Sequence, residues 1–247
     1  MPFWRRKVAM PDGWEAIAER RIAAWRTFDD DERAGLHDIA AVIASRKRWE
    51  AANGFTLTDE MKVVISLQAA RLVLELGVDW YDDMGSILVH PTTMVRTDAR
   101  PTAAQGVLTE EPMEILGETG FRGPVVIAWD AARAAARHPE RGQDVVLHEF
   151  AHQLDLRDGM VDGTPPMADP EERQRWIDVC TPALERLRTD DAYHHGVLDP
   201  YAGTDPGEFF AVSTEVFFTR PTGLRDVQPA LYEVLSDFYR QDPAARE

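Results

Sequence analysis

Residues 145–155 read Val-Val-Leu-His-Glu-Phe-Ala-His-Gln-Leu-Asp and contain the pattern His-Glu-x-x-His at His148, Glu149 and His152. On an α-helix, residues four apart lie one above the other, so both imidazoles project from one face and can share a zinc ion. Glu149 lies beside His152, close enough to take a proton from water held by such an ion. The other flank is apolar: Val145, Val146, Leu147, Phe150, Ala151 and Leu154 can anchor the helix in a core. Two imidazoles and a carboxylate are costly to bury among such residues without partners, and a metal supplies one. With seven His in the chain, the pattern arises by chance in roughly one such chain in sixty. Two surface histidines on an amphipathic helix are the bland alternative, and the surrounding hydrophobics argue against it.

A catalytic zinc site typically has three protein ligands and an open position for water. Three residues compete for the third place. Asp158, ten residues after His148, stands where metzincin-type sites carry a ligand. Those sites turn the chain at a glycine, and Asp155 stands at that position here. Asp158–Gly159 reads more simply as a turn after the helix. The other candidates are Glu208 and Glu215, in Tyr201-Ala-Gly-Thr-Asp-Pro-Gly-Glu-Phe-Phe-Ala-Val-Ser-Thr-Glu-Val-Phe-Phe218. Their separation is about two helical turns, which puts both on one face. Glu208 also has a structural reading, as the third residue of a capping box opened by Asp205 and Pro206. Spacing favours Glu208 over Glu215, and the carboxylate that is not a ligand can still accept a hydrogen bond from a ligand histidine.

These residues need a scaffold, and the sequence predicts a mainly helical α+β one. The first eighty residues read as helical. Trp14 to Phe28 is periodic, and Asp29–Glu32 supplies capping acids before Leu36, Ile39, Ala40 and Ile43 recur on one face. Thr58-Asp-Glu-Met61 opens another helix carrying Val63, Val64, Leu67, Leu72, Leu74 and Leu76, with Gly77 as a stop signal. Lys62, Gln68, Arg71 and Glu75 interrupt it at amphipathic spacing, so it does not read as a membrane span. From residue 81 the texture changes. Ile87–Val89 and Val125–Ile127 are β-branched runs that predict short strands, with turns between Asp98 and Gly123. Helices are expected over Asp130–Arg137, Gln143–Leu154, Pro170–Leu187, Pro206–Phe218 and Asp226–Tyr239. The chain therefore divides into a helical region, 1–80, and a catalytic region, 81–247, packed as one unit with a small sheet beside the His-Glu-x-x-His helix.

Composition narrows the partners. The chain has 247 residues, with 27 Lys+Arg against 43 Asp+Glu, a net charge of −16. That balance argues against nucleic acid, whose binders cluster Lys and Arg against phosphates. The short basic runs Arg5–Lys7 and Arg46–Arg48 read as solvated faces. The single cysteine, Cys180, excludes an internal disulfide and any multi-cysteine metal site, leaving nitrogen and oxygen ligands. It sits among Trp176, Ile177 and Val179 as a core thiol. The opening MPFWRRKVAMPDGW has no apolar run after its basic residues, so no secretory signal is read and a cytoplasmic location is expected. Of the other histidines, His194–His195 reads as a loop, and His37, His90 and His138 have no ligand-spaced companion.

The combination of His-Glu-Phe-Ala-His-Gln-Leu-Asp155, Asp199-Pro-Tyr-Ala-Gly-Thr-Asp-Pro-Gly-Glu-Phe-Phe-Ala-Val212 and the closing Phe238-Tyr-Arg-Gln-Asp-Pro243 resembles the Mlc titration factor A family. The likeness runs along nearly the whole chain and includes Leu74–Trp80, Ile87–Val89 and Pro165–Pro166. Those proteins are zinc-dependent bacterial peptidases of gluzincin type, with a catalytic region similar to that of anthrax lethal factor. The resemblance implies a zincin-like fold and one zinc ion per chain, held by His148, His152 and Glu208. It implies Glu149 as catalytic carboxylate and Tyr201, seven residues before Glu208, as the active-site tyrosine. Asp155 also fits the family pattern. An aminopeptidase-type activity on short peptides is implied, and so is an alternative role: binding and sequestering a transcriptional repressor protein, with catalysis secondary.

Overall fold

A computed structural model describes residues 8–52, 54–92, 123–189 and 196–246. Most of the turn segment expected between Asp98 and Gly123 lies outside these residues, as do Arg5–Lys7 and His194–His195.

The chain begins with α1 (Trp14–Arg21), which ends earlier than its periodicity predicts. Ile22 adopts an extended conformation, φ −111° and ψ 103°, and residues 23–27 form a 3-10 turn. That break turns Trp25 and Phe28 into the core. The acids after Phe28 act as expected at the start of α2 (Asp30–Arg46). Asp29 accepts from the Glu32 amide at 2.8 Å and Glu32 returns a bond to the Asp29 amide at 3.0 Å, closing a capping box.

Three strands form one sheet: β1 (Arg48–Ala51), β2 (Ser86–His90) and β3 (Val125–Ala128). Their order is β1-β2-β3 and both pairings are parallel, with Trp49 opposite Ile87 and Val89 opposite Ile127. Sequence patterning missed β1, whose Arg48-Trp-Glu-Ala51 begins inside a basic run and lacks a clean apolar alternation. Parallel neighbours need a long crossover, and α3 (Asp59–Leu72) lies within the one between β1 and β2.

The helix α3 departs from its amphipathic reading. Thr58 caps it, accepting from the Met61 amide at 3.3 Å, but from Val63 to Leu72 every residue is buried. It packs against α1, α2, α4 (Trp129–Arg137) and α5 (Val145–Asp155). Gln68 and Arg71, expected on a polar face, are 1% and 5% exposed.

The second half is α6 (Pro170–Thr189), α7 (Pro206–Thr219), α8 (Pro221–Val227) and α9 (Pro229–Tyr239). The helix expected over Asp226–Tyr239 is α9, which starts at Pro229, and α8 before it was not expected. Gln228 precedes Pro229, a position that disfavours the helical region, and its φ −135° and ψ 67° separate α8 from α9. Within α7, Gly207 to Thr219 are all buried, the signature of a helix enclosed on every side. Phe210, Phe217 and Phe218 surround Tyr239 with ring centroids 5.0–6.4 Å apart, and one core cluster draws on residues from Met10 to Ala244. No described helix is long and apolar enough to cross a membrane.

The segment after α5 is fastened to the start of α7. Gly163 donates its amide to Asp155 Oδ2 at 2.9 Å and accepts from Trp176 Nε1 at 2.9 Å. Its φ is +72°, and a Cβ there would lie 2.2 Å from the Pro206 carbonyl oxygen. Backbone cannot yield as a side chain would, so Gly163→Ala is expected to cost more than about 2 kcal/mol. A urea midpoint equal to the wild type would refute that.

Candidate metal centre

The α5 helix starts on a polar residue that serves several partners. Asp144 caps it through Oδ1, accepting from the Val146 and Leu147 amides at 3.0 and 3.2 Å, while Oδ2 accepts from Gln68 Nε2. Burial pushes the Asp144 pKa up to about 7 against the opposing pull of Arg71 and these amides. One turn later His148 is enclosed, its side chain 1% exposed. The α7 helix, packed along α5, grips this imidazole from both sides. Glu215 Oε1 lies 2.8 Å from Nδ1, and Glu208 Oε2 lies 3.1 Å from Nε2. The other oxygen of Glu215 accepts from the Asp144 amide at 2.5 Å.

His152, Glu208 and His148 converge. Nε2 of His152 is 3.2 Å from Nε2 of His148 and 3.8 Å from Glu208 Oε1. Among the described residues these three form the group of His, Cys, Asp or Glu able to hold a metal ion, their atoms all within 4.8 Å. Asp205 caps α7 by accepting from the Glu208 amide at 2.9 Å, but Glu208 turns its carboxylate to the histidines and does not complete a reciprocal box. Glu215 reaches only Nδ1 of His148. Asp158 is not in the group: it is exposed, and its carboxylate accepts from the Met160 amide at 3.1 Å in a turn.

The donor set suits a divalent cation. With its Nδ1 hydrogen given to Glu215, a neutral His148 would present the Nε2 lone pair to another nitrogen and a carboxylate, an arrangement that a cation between them would satisfy. Tetrahedral ligation with bonds of about 2.0–2.1 Å separates ligand atoms by roughly 3.4 Å, close to the separations here. Glu208 Oε2 is buried with no hydrogen bond. Around this point the buried carboxylates of Asp144, Glu208 and Glu215 are offset by one buried guanidinium, Arg71.

Protonation in the cation-free site follows from the same charges. Burial opposes a charge on His148, but Glu208 and Glu215 overcome it and raise its pKa well above the usual imidazole value. Burial and the charge of His148 lower His152 to about 4. Burial would raise Glu208, yet both histidines hold it below its ordinary value. Glu149 is half-buried beside the cluster. Burial and the charges of Glu208 and Glu215 raise it to about 7, against His148. Tyr201 lies in a 3-10 turn, Pro200–Gly203, held by Asp199, which accepts from its amide at 2.9 Å. Its ring centroid is 6.3 Å from that of His148, and its buried hydroxyl lies beside the Glu208 carboxylate. Burial and the neighbouring Glu208 raise its pKa.

Asp155 is fully buried and serves the scaffold, holding Gly163. Burial keeps Cys180 a protonated core thiol, its pKa raised to about 12. Beyond His152, the C-terminal end of α5 opens on a cavity of about 390 Å³ lined by Trp80, Asp83, Met84, Gln153, Leu156 and Asp158, among others. Sequence reasoning missed Asp144, Gln68 and Arg71. The aspartate before the apolar run was visible as a cap signal, whereas nothing in the pattern distinguished Gln68 and Arg71 from a solvated stripe.

A mainly helical α+β fold, in which a His-Glu-x-x-His helix is met by a glutamate from a separate helix, defines a zincin-like metallopeptidase. The family model described as glucose-regulated metallo-peptidase M90 matches residues 3–240, and the chain belongs to that family. Its relatives include the Mlc titration factor A of Yersinia enterocolitica, 31% identical over 98% of this chain and 92% of the relative. The Mlc titration factor A of Edwardsiella ictaluri is 32% identical over 94% and 88%. An uncharacterised protein of Synechocystis sp. is 34% identical over 97% and 89%.

Proposed function

We propose that the protein is a zinc-dependent peptidase of aminopeptidase type, with His148, His152 and Glu208 as ligands, Glu149 as general base and Tyr201 as oxyanion donor. The observation that carries the reading is the convergence of two imidazole nitrogens and the buried Glu208 carboxylate beside Glu149. A zinc ion in that position supplies Lewis acidity, polarising a carbonyl and making water acidic near neutral pH. Glu149 takes the proton from the attacking water and returns it to the departing amine. The Tyr201 hydroxyl, beside Glu208, would donate to the oxyanion that develops on the scissile carbonyl. Digestion of a peptide library, read by mass spectrometry, tests this: trimming from free N-termini supports it and internal cuts refute the aminopeptidase assignment.

Tyr201→Phe is expected to lower kcat by about 10²–10³-fold, the usual cost of one oxyanion donor. KM and metal content should stay near wild type. An unchanged kcat would reduce Tyr201 to an anchor of its turn.

A second reading rests on the relatives named Mlc titration factor A. In it the protein acts in the cytoplasm by sequestering a transcriptional repressor, through a surface separate from catalysis. Binding to such a repressor that survives in metal-free Glu149→Gln would favour it.

A further inference from the structure

Gln68 sits in the middle of α3, remote in sequence from the metal centre, and both ends of its amide are engaged. Nε2 donates to Asp144 Oδ2 and Oε1 accepts from Arg71 Nη1 at 3.0 Å. Arg71 in turn donates from Nη2 to the Phe218 carbonyl at 2.8 Å, near the end of α7. Asp144 gives its amide to Glu215, one turn before Phe218 on that helix. The bonds close a ring through three helices: Gln68 to Asp144 on α5, Asp144 to Glu215 on α7, and Phe218 back through Arg71 to Gln68 on α3. Each of the two helices carrying the proposed ligands is therefore fixed to the other and to a common strut. Glu215 is the branch point, because its second oxygen holds Nδ1 of His148.

The chemistry of the ring specifies its members. The other recorded contacts of the Asp144 carboxylate are amide donors, so its remaining oxygen needs a donor. Arg71 needs an acceptor. Only a side chain offering one of each, at fixed separation, meets both within one buried turn, and glutamine does so without adding charge. Breaking a bond in a buried polar network of this kind is costly; Arg71 Nε is the member atom of the ring with no hydrogen-bond partner among the described residues.

We infer that Gln68 is a positioning residue for the metal centre: through Asp144 and Glu215 it fixes the orientation of His148 and the spacing of α5 from α7. The inference rests on the reading of His148 as a metal ligand. Its distinguishing test is a reciprocal exchange. Gln68→Glu has the same shape but sets a carboxylate against Asp144. Asp144→Asn still caps α5 but sets an amide against the amide of Gln68. Combined, the two substitutions restore one donor facing one acceptor, keep Arg71 supplied with an acceptor, and leave the total charge unchanged.

Zinc affinity of the full-length protein is read by chelator competition, the visible spectrum of the Co²⁺-loaded protein reports ligand geometry, and circular dichroism and melting of the metal-free form monitor the fold. Each single variant is expected to bind zinc about 10–100-fold more weakly, the range found for groups that orient metal-ligating histidines, with an altered Co²⁺ spectrum. The double variant should return to within about threefold of wild type. Wild-type affinity and spectrum in Gln68→Glu, or no recovery in the double variant, would overturn the inference. Should Gln68→Glu fail to fold, Gln68→Met removes both hydrogen bonds without a charge and is read the same way. Failure of the underlying reading looks different: wild type would then bind zinc no better than His152→Ala.

Discussion

Glu149→Gln is expected to abolish peptide hydrolysis while leaving a folded, metal-loaded protein. The amide has the shape of the carboxylate and cannot accept the proton from water, so the loss should reach at least the 10²–10⁴-fold typical of a removed general base. Metal content should match wild type, because Glu149 is not among the three converging residues. Stability of the metal-free form should equal or exceed that of the wild type. Burial and the charges of Glu208 and Glu215 already disfavour an ionised Glu149, holding it at about 7, and the substitution removes that conflict. Initial rates, elemental analysis and melting curves on one preparation measure all three. Retained turnover would remove Glu149 from the mechanism.

Glu208→Ala and Glu215→Ala should separate two carboxylates that the sequence leaves nearly equivalent. Glu208 meets both histidines, and its loss leaves two protein ligands where a stable catalytic site uses three. Metal should be absent after dialysis, and activity with it. Glu215 touches only the far nitrogen of His148 and the Asp144 amide. Its loss should leave metal bound but about 10–100-fold more weakly, as for other carboxylates that orient a ligand histidine. Equilibrium dialysis with zinc decides between them, and the reverse ranking would exchange the two roles.

The parts of this molecule legible in sequence are those whose signal is local. The His-Glu-x-x-His spacing, the Asp29–Glu32 box and the Asp205-Pro206 start of α7 each lie within a turn or two of helix. Glu208 and Glu215 could be narrowed to a face, with spacing leaning to Glu208 without deciding it, since i and i+7 on one helix are nearly equivalent until a partner helix is placed. Gln68 and Arg71 went unread for a related reason. At amphipathic spacing, a polar residue that faces water and one that faces a buried aspartate look alike, and here the aspartate is 76 residues away from Gln68. The strand β1 was hidden because its four residues gain their pairing from β2 and not from their own pattern.

The grip of Glu215 on His148 spans 67 residues of chain, and that distance has a consequence during synthesis. A growing chain carries its His-Glu-x-x-His helix out of the ribosome while Glu208 and Glu215, which meet His148 in the folded protein, are still untranslated. At roughly 5–20 residues per second, several seconds pass before α7 emerges. In that interval the two histidines can meet an ion only as an open, two-point site. On the proposed ligand set, the centre would be completed only when the helix that also fills the core arrives, so truncated products of stalled ribosomes would carry the motif without its third ligand.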